Sequence, residues 1–231
     1  KRGIVSYFCT QIVSGIFNNH HAKIIIFTWL NQEKELPMAT PDRNQAYQLL
    51  LQYTASEHLI RHALAVEAVM RYFAQKHGHD PEKWGIIGLI HDLDYDRYPE
   101  QHCVKTKEIL ESTGWPEDWI RSVISHGWGI CSDAEPEHFM EKVLFTIDEL
   151  TGLVAASALI RPSKSIYDLE VTSVKKRWKS KGFAAGVNRE IIEKGASMLQ
   201  MDIDTIIAGT IEGMRAVAGD IGLAGNLNKQ N

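Results

Sequence analysis

The sequence WGIIGLIHDLDYDRYPEQH, residues 84–102, joins an apolar segment to a His-Asp pair. Apolar side chains lie on nearly all sides of a helix drawn through residues 82–91, so we expect this helix to be central in the fold. The segment ends at His91-Asp92. Burying an unpaired carboxylate in apolar surroundings costs several kcal/mol. Asp92 therefore needs strong hydrogen-bond donors or a cation, and a metal ion meets that need most simply.

Further histidines and aspartates occur in or beside other segments with helical periodicity. One aspartate lies in VLFTIDELTGLV, residues 143–154, where the sequence is apolar on both sides of the carboxylate. Imidazole and carboxylate groups together bind divalent ions such as Mn, Fe, Mg or Zn. Ligands spread one or two per helix form a single site only where several helices converge. The pattern predicts an all-helical metalloenzyme with the candidate ligands His62, His91, Asp92, His126 and Asp148.

Helical periodicity continues through most of the chain after residue 42, and no convincing strand pattern or internal repeat interrupts it. The step Asp80-Pro81 is typical of a helix start, with the aspartate as cap and the proline at the first helical position. The tail from Gly219 to Asn231 is expected to be frayed. The predicted helices cover about residues 59–76, 82–91, 101–112, 116–126, 137–159, 165–180, 187–200 and 203–217.

Residues 1–37 differ from the rest of the chain. Their two apolar runs are separated by Asn18-Asn19-His20-His21, and each is shorter than the roughly 20 residues needed to cross a bilayer. We therefore predict an atypical leader or translated upstream segment outside the core, and no membrane partner. Residues 38–231 are predicted to form one domain, with a core at about 45–160 and a C-terminal helical extension at about 161–218.

Composition narrows the class of protein. The 231 residues carry a formal net charge of -4, which gives no reason to expect nucleic acid as a partner. The three cysteines, Cys9, Cys103 and Cys131, form no C-x-x-C pair and leave an odd thiol, so they do not indicate a disulfide framework. A reducing, cytoplasmic location fits best. Cys103 and Cys131 are expected to be packing or surface thiols.

The order of these residues resembles the HD superfamily of metal-dependent phosphohydrolases, whose signature is a histidine, a His-Asp pair and a distant aspartate. Here the signature corresponds to His62, His91-Asp92 and Asp148, and the resemblance covers about residues 45–160. Three segments are also similar to a narrower group of predicted HD hydrolases, and they extend the match toward residue 215. They are HDLDYDRYPEQH at 91–102, DELTGL at 148–153 and FAAGVNRE at 183–190.

The resemblance implies a fold, an activity and a set of ligands. The fold is an HD-domain helical bundle with additional C-terminal helices, and the activity is hydrolysis of a small phosphorylated substrate by metal-activated water. One divalent ion would be held by His62, His91, Asp92 and Asp148. Where family members hold two ions, Asp92 would bridge to a second one on His102 and His126. One and two ions both stay open, as does their identity among Mn, Fe, Mg, Zn, Ni and Co.

Catalytic candidates stand beside the ligands. Asp92 would contact every ion, and Asp94 and Asp96 are candidates for orienting water or for acid chemistry. The alternative for Asp94 and Asp96 is a turn that caps the next helix. Residues 161–200 hold nine Lys or Arg against four Asp or Glu, which indicates either a phosphate-attracting flank or a solvated helix face. The substrate-binding candidates are Arg61, Lys175, Lys176, Lys179 and Arg189.

Two other functions use the same residues. A minority of HD proteins are di-iron oxygenases with six His and Asp ligands, and others are non-catalytic modules that bind a nucleotide. Loss of a ligand would mark the second class, and every core ligand is present here.

His58 is expected to be exposed or to support the ligands, and His77, His79 and His138 are assigned to the surface. Substrate identity and oligomeric state stay open.

Overall fold

The computed structural model describes residues 40–180 and 182–226, and in this part of the chain it contains nine α-helices and no β-strand. This result confirms the predicted all-α fold. Two short 3-10 helices lie at Pro99–Gln101 and Ser125–Gly127. The α-helices are α1 Arg43–Tyr53, α2 Glu57–Lys76, α3 Pro81–Leu89, α4 Val104–Ser112, α5 Glu117–Ile124, α6 Phe139–Leu159, α7 Val171–Trp178, α8 Arg189–Leu199 and α9 Ile203–Arg215.

The start of α3 follows its sequence signal. The Asp80 carboxylate accepts a hydrogen bond from the Glu82 backbone amide at 2.9 Å, and Pro81 occupies the first helical position. The helix ends at Leu89, two residues earlier than predicted, so the His-Asp pair lies in the turn that follows. From this turn both side chains reach the same cluster.

Helices α2, α3 and α6 form the centre of the bundle. Helix α3 packs on α2, α6 packs on α2, and α8 and α9 cover the outer sides of α6 and α2. Met70 and Phe73 of α2 and Leu144 and Leu150 of α6 are fully buried in the same apolar core. This packing fixes α2 and α6 side by side, and each of them carries one predicted ligand.

The segment after α9 is not frayed over the residues that the structure describes. Ile221 and Leu223 are 5% and 3% exposed, and the Leu223 carbonyl accepts a hydrogen bond from the Ile166 amide at 2.9 Å. The Asn226 amide donates to the Ser163 carbonyl at 2.7 Å. The expectation of a frayed tail was therefore wrong up to residue 226, because two apolar side chains return to the core.

The predicted leader at 1–37 lies outside the described residues. Among the helices that are described, none combines the length and the apolar character needed to cross a membrane.

Candidate metal centre

Four side chains from three parts of the bundle converge on one point. His62 comes from the second turn of α2, His91 and Asp92 from the turn after α3, and Asp148 from the middle of α6. The Asp148 Oδ1 atom lies 3.0 Å from His62 Nε2 and 3.2 Å from His91 Nε2, and the two Nε2 atoms are 3.2 Å apart. The residues predicted to hold one ion therefore form one cluster, which we call the first cluster.

A second cluster adjoins the first through Asp92. Its Oδ1 atom lies 3.4 Å from His102 Nε2 and 3.3 Å from His126 Nε2, and these two nitrogens are 3.1 Å apart. His102 follows the first 3-10 helix and His126 lies in the second one. Asp92, His102 and His126, the second cluster, are thus the residues that the two-ion interpretation requires.

The two oxygens of Asp92 face different clusters. Oδ2 lies 3.4 Å from His91 Nε2 and 3.7 Å from His62 Nε2, whereas Oδ1 faces the second cluster. A carboxylate with one oxygen toward each group of histidines is the arrangement expected of a bridge between two cations.

The four histidines present the same nitrogen to the clusters because the other nitrogen has a partner elsewhere. His91 Nδ1 donates to the Gly88 carbonyl at 2.8 Å, and His126 Nδ1 donates to the Val123 carbonyl at 2.6 Å. His62 Nδ1 lies 3.4 Å from Thr151 Oγ1. Such partners fix the ring orientation and leave the Nε2 lone pair for a metal.

Asp94 holds the fourth histidine. Its buried Oδ1 accepts from His102 Nδ1 at 2.7 Å, and its Oδ2 accepts from the Thr106 amide in the first turn of α4 at 2.8 Å. Both oxygens are therefore engaged, and the carboxylate ties a ligand ring to a helix start.

We expect Asp94→Asn to weaken the second cluster selectively. The amide group cannot accept from both donors, so either the His102 ring or the Thr106 amide loses its partner. Loss of such a supporting hydrogen bond typically reduces metal affinity about 10-fold to 100-fold. Metal titration followed by elemental analysis should show that one ion per chain binds with lower affinity, while the first cluster keeps its ion. Equal weakening of both ions would contradict this role.

The Asp96 carboxylate contacts backbone amides outside the two clusters. Its Oδ2 accepts from the backbone amides of Ala55 and Ser56 at 2.7 and 3.0 Å, just before α2 begins. These two hydrogen bonds lower the pKa of Asp96. The two amides belong to the segment that leads into α2, whereas the alternative predicted a cap on the next helix, and the catalytic role of Asp96 stays a prediction.

The carboxylates and imidazoles of the clusters shift one another's pKa. Burial opposes ionisation of Asp92 and Asp148, but the neighbouring His91 ring and hydrogen bonds from cluster histidines hold the pKa of each carboxyl below its usual range. Burial opposes protonation of His126, yet its hydrogen bond to Asp92 and the Asp92 charge raise its pKa to about 9. These shifts show a strongly negative site that attracts positive charge.

The donor atoms fit a divalent cation. Ligand atoms about 2.1 Å from a metal lie about 3.0 Å apart in an octahedron and about 3.4 Å apart in a tetrahedron. The distances from the histidine nitrogens to one another and to the carboxylate oxygens run from 3.0 to 3.7 Å in the two clusters. Nε2 lone pairs that face one another at 3.1–3.2 Å repel unless a proton or a cation lies between them. Imidazole and carboxylate together suit Mn, Fe, Zn and similar ions.

A cavity of about 460 Å³ opens over both clusters. Besides the ligands it is lined by Tyr95, Ile130 and Glu149, and by Gly186 and Val187 of the segment before α8. No Lys or Arg is among the lining residues in the described part of the chain. The cavity is large enough for a small substrate, and its own side chains supply no fixed positive charge.

The predicted substrate-binding residues lie away from this lining. Arg61 pairs with Glu57 and borders a smaller cavity of about 260 Å³, which shares His58, His62 and Gly152 with the larger one. The roles of all five basic residues in substrate binding stay predictions.

The other four basic residues lie on or beside α7 and α8. Lys175 pairs with Asp204 at 2.7 Å. Arg189 donates to backbone carbonyls around the α7–α8 loop, including Phe183 at 2.6 Å. Lys176 and Lys179 are both exposed.

Sequence reasoning missed two residues of the site. Glu149 lines the cavity, its carboxylate accepts from the Asn188 amide at 3.0 Å, and burial raises its pKa. Thr151 supports the His62 ring and donates to the Asp148 carbonyl at 2.7 Å. Both residues lie close to Asp148 in sequence, one and three positions after it, and this proximity was the feature that could have indicated a role at the site. His77, His79 and His138 are exposed, as predicted.

A comparison with models of protein families matches residues 59–154 to the HD domain. This range contains every residue of both clusters. No solved structure matches the chain.

Proposed function

We propose that the chain, whose residues 59–154 match the HD domain, is a metal-dependent phosphohydrolase that cleaves a phosphoester of a nucleotide or another small phosphorylated metabolite. The observation that carries the proposal is the pair of His/Asp clusters joined by Asp92 beneath an open cavity. The narrower group defined by the HDLDY sequence is a further expectation of the same proposal.

Each cluster has a defined part in this activity. His62, His91, Asp92 and Asp148 would hold one ion, and Asp92, His102 and His126 would hold a second. When bound, a divalent cation lowers the pKa of water toward neutrality and polarises a phosphoryl oxygen. The residues of the chain would hold these ions in fixed positions, because hydrogen bonds at Nδ1 fix the histidine rings and Asp94 positions His102.

The charge of the cavity favours two ions for a phosphorylated substrate. Asp92, Asp148 and Glu149 give the cavity a negative potential, and no described Lys or Arg lines it. A phosphate would be repelled from that surface unless the cations outweigh the carboxylates. Two divalent ions would outweigh these three cavity carboxylates by one charge, whereas a single ion would leave one negative charge.

We expect His102→Ala to reduce the metal content from two ions per chain to one. The change removes one of three donors of the second cluster and none of the four in the first. Elemental analysis of the purified variant would measure the loss, and His79→Ala is the matched control because His79 is exposed and outside both clusters. An unchanged metal content in His102→Ala would contradict the second site.

A panel of nucleotides, cyclic nucleotides and sugar phosphates tests the activity itself, with product formation followed by chromatography because a cyclic nucleotide yields a monophosphate and not inorganic phosphate. The hydrolase proposal expects hydrolysis that stops with a chelator and returns with added divalent metal. A protein that holds both ions yet hydrolyses no member of the panel would favour the non-catalytic nucleotide-binding module.

A di-iron oxygenase is the second candidate. The four imidazole nitrogens in the two clusters favour it, since a histidine-rich pair of sites suits iron. Anaerobic purification, iron analysis and an oxygen-uptake assay distinguish the two enzymes. Oxygen consumption by the iron-loaded protein, without phosphate release, would replace the hydrolase proposal.

A further inference from the structure

The two described cysteines lie in contact beside the second cluster. Cys103 Sγ and Cys131 Sγ are 3.0 Å apart, and both residues are free thiols. Cys103 directly follows His102, and Cys131 lies in the short loop that follows His126. The sequence pattern predicted packing or surface thiols and did not predict that the two would be in contact. Residues 28 positions apart in sequence come together only in the folded chain.

The surrounding backbone is shaped around this contact. Cys103 has φ 65° and ψ -38°, a conformation that L-residues rarely adopt and that persists only where the surroundings enforce it. Gly127 packs directly on the sulfurs: a Cβ there would lie 2.3 Å from Cys131 Sγ and 2.5 Å from Cys103 Sγ. A residue with a side chain at position 127 would overlap both sulfurs and force at least one of them to move.

Access to the pair is one-sided. Cys103 is 2% exposed, whereas Cys131 is half-buried and lines the cavity over the clusters. A reagent that enters the cavity meets Cys131 first, with Cys103 already in place behind it. This is the arrangement of an attacking thiol with an adjacent resolving thiol.

We propose that Cys103 and Cys131 are a modification site, at which a low-molecular-weight disulfide converts the two thiols into an intramolecular disulfide. Cys131 Sγ attacks one sulfur of the reagent, forms a mixed disulfide and releases the first reagent thiol. Cys103 Sγ then attacks Cys131 Sγ, so that the mixed disulfide breaks and the second reagent thiol leaves. Two electrons and two hydrogens pass from the protein to the reagent.

The geometry needs little movement for this bond. A disulfide has an S–S length of about 2.05 Å, so the sulfurs must approach by about 1 Å. The bond would join the segment that presents His102 to the segment that presents His126, and thereby link the two histidines of the second cluster covalently. The proposal does not depend on the reaction that the clusters catalyse.

The test treats the native, metal-loaded full chain with oxidised glutathione, alkylates the remaining thiols and maps them by mass spectrometry. We expect loss of two of the three thiols and a linked peptide pair that contains Cys103 and Cys131, both reversed by dithiothreitol. Cys9→Ser should form the same link and retain no free thiol. Cys131→Ser should leave Cys103 unmodified.

Two results would overturn the proposal. One is wild-type protein in which Cys131 carries glutathione while Cys103 stays free, because the second exchange then does not occur. The other is a link that involves Cys9, or a Cys103–Cys131 link that forms no faster in the native chain than in urea, because the folded contact then makes no contribution.

Discussion

Asp92→Ala should remove both metal ions and abolish turnover, the largest functional loss expected from any single substitution in this chain. The carboxylate is the only residue shared by the two clusters, with Oδ2 toward His91 and Oδ1 toward His126. Its removal also leaves the Nε2 atoms of His102 and His126 facing one another without the carboxylate oxygen that both of them contact. Because even supporting residues affect metal affinity by 10-fold to 100-fold, a bridging ligand should cost more than about 100-fold at both sites.

Elemental analysis and phosphate release, measured on the same preparation, check this result. Asp133→Ala is the matched control, since Asp133 is exposed and belongs to neither cluster. Asp92→Asn serves as a second variant that keeps the side-chain volume, and circular dichroism verifies that each protein is folded. A folded Asp92→Ala protein that keeps two ions or measurable turnover would show that the bridge is not needed.

The convergence of the six predicted ligands could be anticipated because buried carboxylates need partners. Asp92 and Asp148 follow or interrupt the most apolar segments of the chain, and that conflict is visible in sequence. The fold solves it by placing α2 and α6 side by side, so that His62 reaches Asp148 at 3.0 Å. Apolar periodicity predicted both helices, and the resemblance to the HD superfamily predicted which residues would share each ion.

The supporting contacts could not be anticipated, because they join residues whose separation in sequence carries no pattern. Asp94 reaches both His102 and Thr106 through a turn whose shape depends on the packing of α4. Arg189 turns toward the carbonyls of its own loop, a choice that the sequence does not distinguish from a phosphate contact. Composition likewise gave no sign that Leu223 would return to pair with Ile166.

The contact between α9 and α2 shows how closely the C-terminal helices are fitted to the domain that carries the ligands. Gly213 of α9 faces the α2 backbone: a Cβ at this position would lie 2.7 Å from Val69 Cα and 3.2 Å from the Ala68 carbonyl oxygen. These are main-chain atoms inside a helix, so they cannot turn aside as a flexible side chain can. A methyl group here must separate the two helices.

We therefore expect Gly213→Ala to lower the free energy of unfolding by about 1–3 kcal/mol or more, the cost of overpacking a well-filled core. The gain of up to about 1 kcal/mol from replacing glycine by alanine in a helix offsets only part of this cost. Urea unfolding followed by circular dichroism measures the change.

Gly219→Ala is the control for this substitution, because Gly219 is exposed and no atom lies within 4 Å of an added Cβ. Its unfolding free energy should stay within about 0.5 kcal/mol of the parent chain. If Gly213→Ala were as stable as this control, α9 would not be seated on α2 as described. If it were destabilised and also held less metal, the α2–α9 contact would be needed to keep His62, two helical turns before Val69, in position.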